Sequence, residues 1–124
     1  LFMASLDGHE AVVRALLEGG ADINKATTDS GHTPLFMASL DGHEAVVRAL
    51  LESGADINKA TTDSGYTPLH IASYEGHETV VRVLLEGGAD VNKDDDDICT
   101  PLTVAKAPEI ILMLNNATQA KHTK

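Results

Sequence analysis

Three histidines recur along the chain at a constant interval, and they are the first candidates for chemistry. His9, His43 and His77 are each separated by 34 residues. Imidazole groups in a row could bind metal ions or carry protons. If the interval reflects stacked repeats, however, successive histidines lie about 10 Å apart, the usual distance between packed helices. The ligands of one zinc ion each lie about 2 Å from the metal. The spacing therefore favours a structural role at a turn between two helices.

Two further groups of side chains could support chemistry. Asp94–Asp97 offers carboxylates, but a calcium loop needs alternating oxygen ligands, a central glycine and a distant glutamate, which this segment lacks. We interpret it as a solvated loop or as an acidic contact for a basic partner. Cys99 has no neighbouring arginine that would stabilise a reactive thiolate, and the sequence contains no glycine-rich phosphate loop. The sequence thus predicts no enzyme, no metal site and no cofactor.

The composition limits the partner and the compartment. The 124 residues fit a single domain, 1–124. Nine basic residues stand against 19 acidic ones, and the net charge of −10 repels phosphate backbones, so nucleic acid is not expected as a partner. The longest aliphatic run, Ile110–Leu114, is too short to cross a bilayer, so no membrane association is expected. A single cysteine allows no internal disulfide and favours a reducing compartment, the cytoplasm or the nucleus.

The chain repeats itself with a period of about 34 residues. Residues 1–34 and 35–68 are identical at 32 of 34 positions, and residues 69–93 match 35–59 at 17 of 25. A fourth, eroded copy begins at Thr100. Periods of this length are typical of stacked arrays, in which each unit buries its apolar face against its neighbours.

Each unit is predicted to contain two short helices and a loop. Thr33 is a good N-cap residue and Pro34 suits the first helical position, so helix A is predicted from about Pro34 to Leu40. Gly42 can end it in a left-handed conformation. Helix B is predicted over Glu44–Glu52, where valines and leucines recur at helical spacing, and Gly54 closes it. The polar stretch 59–64 then forms a hairpin-like finger.

These motifs resemble the ankyrin repeat. The resemblance extends from Leu1 to about Leu114, and the residues that carry it are Gly65-Tyr66-Thr67-Pro68-Leu69-His70-Ile71-Ala72, Gly76-His77, Val80-Val81, Leu84-Leu85 and Gly88-Ala89-Asp90-Val91-Asn92. It implies an all-α repeat solenoid of helix-turn-helix units, whose finger loops and first helices line a concave groove. It also implies that Asn24, Asn58 and Asn92 stabilise one finger against the next.

The resemblance implies about three repeats and a shortened C-terminal capping repeat. The units are expected at about 1–30, 31–64, 65–97 and 98–117, with a polar tail over 115–124. The first two fingers hold one residue more than the common 33-residue unit, so their tips should be longer or bulged. Phe36 replaces the histidine that is present as His70, which removes a hydrogen bond from side chain to backbone. Pro108 interrupts the last unit.

The first unit begins inside its helix A, without a Thr-Pro start. Side chains of this unit that would meet a preceding unit in a stack are found among Leu1, Phe2, Met3, Val12 and Leu16. We therefore expect either further repeats upstream or self-association through this end.

The resemblance implies a protein–protein interaction module that binds a protein or peptide through its concave finger and helix A face. A partner with basic groups would suit the acidic residues of the chain. Aromatic side chains dominate interface energetics, so Tyr66 and Tyr74 are the expected anchors. The alternative is a structural spacer, or an engineered or duplicated array without a dedicated ligand, because units 1 and 2 are nearly identical even at surface positions. The residues expected at the partner interface are Asp29, Ser30, His32, Leu40, Asp41, Asp63, Ser64, Tyr66, Tyr74, Glu75, Asp96, Asp97 and Cys99.

Overall fold

The computed structural model describes residues 10–20, 22–24, 31–62, 65–91, 105 and 107–122. Within these ranges the chain is helical, and no strand is present. In chain order the helices are α1 (Glu10–Glu18), α2 (Pro34–Asp41), α3 (Glu44–Glu52), α4 (Pro68–Glu75), α5 (Glu78–Glu86) and α6 (Pro108–His122). Helices α2 and α4 are the helices A of their units, and α1, α3 and α5 are the helices B.

Local capping residues set the ends of helix A, as the sequence predicts. The Thr33 side chain accepts a hydrogen bond from the backbone N–H of Phe36, and Pro34 follows at the first helical position. The helix ends at Asp41, one residue later than predicted, because Gly42 takes the left-handed conformation with φ of 76°. The same arrangement begins α4 at Thr67.

Helix B has the predicted limits in both complete units. α3 and α5 each begin with a glutamate, whose negative charge is favourable at a helix N-terminus. The end of α3 differs slightly from the prediction, since Ser53 is the capping residue and Gly54, with φ of 95°, follows it. The backbone N–H groups of Ser53 and Gly54 bond to carbonyls of the last turn, so these acceptors are satisfied.

The helices form two layers with one continuous core. α2 packs against α4 in the first layer, while α1, α3, α5 and α6 follow one another in the second. Each helix A also packs on the helix B of its own unit. Buried valines and leucines of both layers form a single cluster that runs through the stack, including Leu35, Val47, Leu50, Leu69, Val81 and Leu84. The apolar side chains of one unit are therefore covered by its neighbours, which is the physical reason for the repeat.

The last helix differs from the other helices B. Pro108, predicted to interrupt the last unit, instead begins α6, where its missing N–H and fixed φ cost nothing. Ile110 and Leu114 are buried in the core cluster, and α6 packs against α5. The segment predicted as a polar tail is helical as far as His122. α6 is thus a 15-residue helix that joins the core through Ile110 and Leu114.

Candidate functional site

The finger of the second unit is closed by hydrogen bonds between Thr61 and Tyr66. The N–H of Thr61 donates to the carbonyl oxygen of Tyr66 at 2.9 Å, and the N–H of Tyr66 donates to Thr61 Oγ1 at 3.2 Å. The N–H of Gly65 donates to the carbonyl oxygen of Thr61 at 3.1 Å. Thr61 is buried. These bonds fix the backbone that carries the Tyr66 ring at the base of the finger.

Side-chain amides join each loop to the next one. The Oδ1 atom of Asn24 accepts a hydrogen bond from the N–H of Asp56 at 2.9 Å, and Asn58 accepts one from Asp90 at the same distance. The predicted role of these asparagines is confirmed for both described junctions. Asn92 lies outside the described residues.

A histidine joins neighbouring units at the opposite end, where helix A turns into helix B. His77 Nε2 donates to the carbonyl oxygen of Leu40 in the preceding unit at 2.9 Å. The ring also lies against Gly42, where a Cβ atom would come within 2.7 Å of His77 Nδ1. The predicted structural role is therefore confirmed for His77, while His9 lies outside the described residues. The junction between the second and third units is fixed at both ends, by Asn58 and by His77.

A small apolar cluster lies on the helix A side of the stack, separate from the main core. Phe36, Met37 and Ile71 are buried together, and the half-buried Leu40 and Tyr66 pack against them. We call the surface formed by α2, α4 and the finger residues His32 and Tyr66 the inner face.

Two stacked ring pairs support the inner face. His32 stacks on Phe36 with ring centroids 4.7 Å apart, and Tyr66 stacks on His70 at 5.1 Å. His70 is itself held by Thr67, whose N–H donates to His70 Nδ1 at 3.1 Å. Phe36 has no ring nitrogen for such a bond, as predicted, and its apolar ring is buried instead. The half-buried rings of His32 and Tyr66 are thus each stacked on a buried ring.

The second layer, formed by α1, α3, α5 and α6, carries exposed ion pairs. Arg14 Nε lies 2.8 Å from Glu10 and its guanidinium lies 3.2 Å from Glu52 of the next unit. The hydrogen bond to Glu10, which has the larger effect, and the hydrogen bond to Glu52 both raise the pKa of Arg14 above its usual value. Arg48 pairs with Glu44 in the same way, at 3.0 Å. We call this surface the outer layer.

A family model described as "Ankyrin repeats (3 copies)" matches residues 1–95 and, in a second placement, residues 57–121. The chain belongs to the ankyrin repeat family. The predicted family and the predicted all-α repeat solenoid are both confirmed. A search of curated proteins finds no match to the chain. Ankyrin repeats are generally protein–protein interaction modules and are typically not enzymes.

Six of the residues predicted to contact a partner lie in the described part of this ankyrin array. His32, Leu40 and Tyr66 are half-buried, whereas Asp41, Tyr74 and Glu75 are exposed. All six lie on α2 or α4, the helices of the first layer, or in the finger residues just before them. The other predicted residues lie outside the described residues: Asp29, Ser30, Asp63, Ser64, Asp96, Asp97 and Cys99.

Sequence reasoning did not find Met37 and Ile71, which form the floor of the inner face with Phe36. Their apolar type alone is compatible with the main core of an ankyrin unit. Helical spacing could have assigned them to the inner face. Met37 precedes Leu40 by one helical turn and Ile71 precedes Tyr74 by one turn, so the residues of each pair share one side of the helix. The same side of α2 and α4 thus carries the buried floor together with Leu40 and Tyr74, which are predicted to contact a partner.

The described part of the chain contains neither a metal-binding cluster nor a membrane-spanning helix. Among those residues, no three His, Cys, Asp or Glu side chains come together in a way that could hold a metal ion. None of the described helices has the length and apolar character required to span a bilayer.

Proposed function

We propose that this ankyrin array binds a protein or a peptide through its inner face, which corresponds to the concave groove of the family. The observation that carries the proposal is the side chain of Tyr74, which is 44% exposed on α4. It lies one helical turn after Ile71, which is buried in one cluster with Phe36 and Met37. A large aromatic side chain beside an apolar floor is the usual composition of an interface centre.

The surroundings of Tyr66 and Tyr74 support their use as anchors. Tyr66 is held by its backbone bonds to Thr61 and by stacking on His70, so little rotational freedom remains to be lost on binding. Asp41 and Glu75 are exposed at the C-terminal ends of α2 and α4. Helix C-termini carry partial negative charge, so a partner with basic groups near these residues is favoured. The single cysteine favours the cytoplasm or nucleus as the compartment of this binding.

We also propose a second mode of association, through the exposed side chains of α1. Val12 and Leu16 are 46% and 37% exposed, whereas their sequence-identical counterparts Val46 and Leu50 are 1% and 0% exposed. Two copies of the chain would remove these side chains from water by pairing through α1. A molar mass of one chain in light scattering at about 0.5 mM protein would count against this pairing.

The alternative function, a spacer without a dedicated ligand, is favoured by the near-identity of the first two units. Residues 1–34 and 35–68 share 32 of 34 residues, so their surfaces have not diverged toward separate contacts. The two functions differ in one measurable respect. An interaction module retains a stoichiometric partner from a cell lysate, and a spacer does not.

The test is affinity capture followed by mass spectrometry, with the wild-type chain and the double variant Tyr66→Ala/Tyr74→Ala. The proposal expects a partner that the wild type retains and the double variant loses. Leu112→Ala is the control, because Leu112 is exposed on α6, away from the inner face. Circular dichroism establishes that each variant remains folded. Equal capture by the wild type and the double variant would exclude the inner face, and no capture at all would favour the spacer.

A further inference from the structure

Two small cavities open on the outer layer, between the C-terminal ends of neighbouring helices. The first has a volume of about 280 Å³ and lies between α1 and α3, and the second, of about 210 Å³, lies between α3 and α5. The first is lined by Arg14, Leu17, Glu18, Ile23 and Ser53. The second is lined by Arg48, Leu51, Glu52, Val83, Glu86 and Gly87.

The two cavities are built from the same repeat positions. Arg14, Leu17 and Glu18 of the first correspond to Arg48, Leu51 and Glu52 of the second, each 34 residues later. Consecutive junctions therefore form one kind of cavity twice. Each cavity is smaller than the roughly 300–1,000 Å³ that small-molecule pockets occupy. Their size suits a single side chain of a partner polypeptide.

The chemistry of the first cavity favours a long cationic side chain. Leu17 and Ile23 are partly buried and pack on the core, so they supply an apolar floor. Glu18, another lining residue, is the last residue of α1, where the helix already carries partial negative charge. The guanidinium of Arg14 is occupied by Glu10 and Glu52.

The second cavity has the same character. Leu51 and Val83 belong to the core or pack on it and supply the floor. Glu86 is the last residue of α5, which has no basic residue in its last turn. Of the other charged residues of this cavity, Glu52 lies 3.2 Å from Arg14, and Arg48 lies 3.0 Å from Glu44. Lysine and arginine side chains place aliphatic stems on apolar surface while their charged ends reach polar groups.

We propose that the outer layer binds an extended basic segment of a partner protein, with one lysine or arginine side chain in each of these two cavities. Stacked helices lie about 10 Å apart. A segment in the extended polyproline II conformation advances about 3.1 Å per residue with three residues per turn, so side chains three positions apart lie on one side, about 9 Å from each other. The basic residues of the partner therefore occur at every third position. This site lies on α1, α3 and α5, and it is independent of the inner face.

The spacing is tested with two fluorescein-labelled peptides of the same composition and charge. The first, Ser-Lys-Thr-Ser-Lys-Thr-Ser, carries its lysines three residues apart, and the second, Ser-Ser-Lys-Lys-Thr-Thr-Ser, carries them side by side. Fluorescence anisotropy with the full chain measures both dissociation constants. The first peptide is expected to bind about fivefold more tightly, since the second can place only one lysine in a cavity. Equal affinities, or no binding of the first peptide at about 1 mM chain, would overturn the proposal.

Three variants separate a built site from general attraction to an acidic protein. Glu18→Gln/Glu86→Gln removes one carboxylate from each cavity and is expected to raise the dissociation constant of the first peptide by about tenfold. Glu109→Gln on α6 removes an exposed carboxylate elsewhere and is expected to leave the affinity unchanged. Ser53→Leu fills the first cavity without changing the charge and should also weaken binding.

Two outcomes with these variants would overturn the site. Unchanged affinity in Ser53→Leu would show that the cavity is not occupied, and equal losses in Glu109→Gln and in the double glutamate variant would show only diffuse attraction. Tyr66→Ala/Tyr74→Ala is expected to bind the peptide as the wild type does. That result would show that the peptide binds the outer layer independently of the inner face.

Discussion

Replacing Gly42 by alanine tests how tightly neighbouring units are joined at the turn between helix A and helix B. Gly42 has φ of 76°, and an added Cβ would lie 2.7 Å from Nδ1 of His77 in the next unit. Gly76 occupies the same position one unit later, with φ of 80°, but no described atom lies within 4 Å of its added Cβ. The two glycines therefore share the backbone conformation and differ in the contact across the junction.

The difference in cost can be worked out from these geometries. A left-handed conformation costs alanine about 1–2 kcal/mol in either variant. In Gly42→Ala the His77 ring must also move, which breaks its 2.9 Å hydrogen bond to the carbonyl oxygen of Leu40 at a cost of about 1 kcal/mol. Crowding of the ring adds about 1 kcal/mol. We expect Gly76→Ala to lose about 1–2 kcal/mol of unfolding free energy, and Gly42→Ala about 2 kcal/mol more.

Urea unfolding followed by circular dichroism at 222 nm measures both values, with the m-value compared between variants to confirm that the same surface is exposed. Adding His77→Ala completes a double-mutant cycle, because without the ring the additional cost of Gly42→Ala should disappear. Equal losses of stability in Gly42→Ala and Gly76→Ala would refute the reasoning, since the contact with His77 would then contribute nothing.

Two further predictions use matched positions in the array. Val46→Ala should lower the free energy of unfolding by about 2 kcal/mol, because Val46 is fully buried. Val12→Ala changes the same repeat position where it is exposed, and should alter the free energy by less than about 0.5 kcal/mol. Comparable losses of stability in urea unfolding would contradict the difference in burial. Ser39→Ala and Ser73→Ala should each raise the free energy of unfolding by about 1 kcal/mol, and with it the thermal midpoint, because neither buried hydroxyl has a hydrogen-bond partner among the described residues. A lowered midpoint in calorimetry would mean that the hydroxyls are hydrogen-bonded.

The limits of the helices were predictable because the signals that set them are local. Thr33 and Pro34 begin α2, and Gly42 ends it, through bonds to residues no more than four positions away. The period of the sequence then carries these limits from one unit to the next. The end of the array was less predictable, since Pro108 begins a helix there instead of interrupting one.

The contacts between units were harder to predict, because they depend on the rotation and separation of whole units. The bond from His77 to the carbonyl oxygen of Leu40 joins residues 37 positions apart, and no local pattern indicates it. Met37 and Ile71 have the residue types of core positions, and only their side of the helix assigns them to the inner face. The cavities of the outer layer are gaps between helix ends, so their volumes follow from packing and not from any motif.

The double attachment of the junction between the second and third units has a mechanical consequence. Asn58 holds the loop end of the second and third units together, and His77 holds the opposite end. A hinge motion that opened one end would stretch the bond there, and a twist would strain both. The second and third units should therefore move as one rigid body. Force applied at one end of this pair is then transmitted to the other end with little internal deformation.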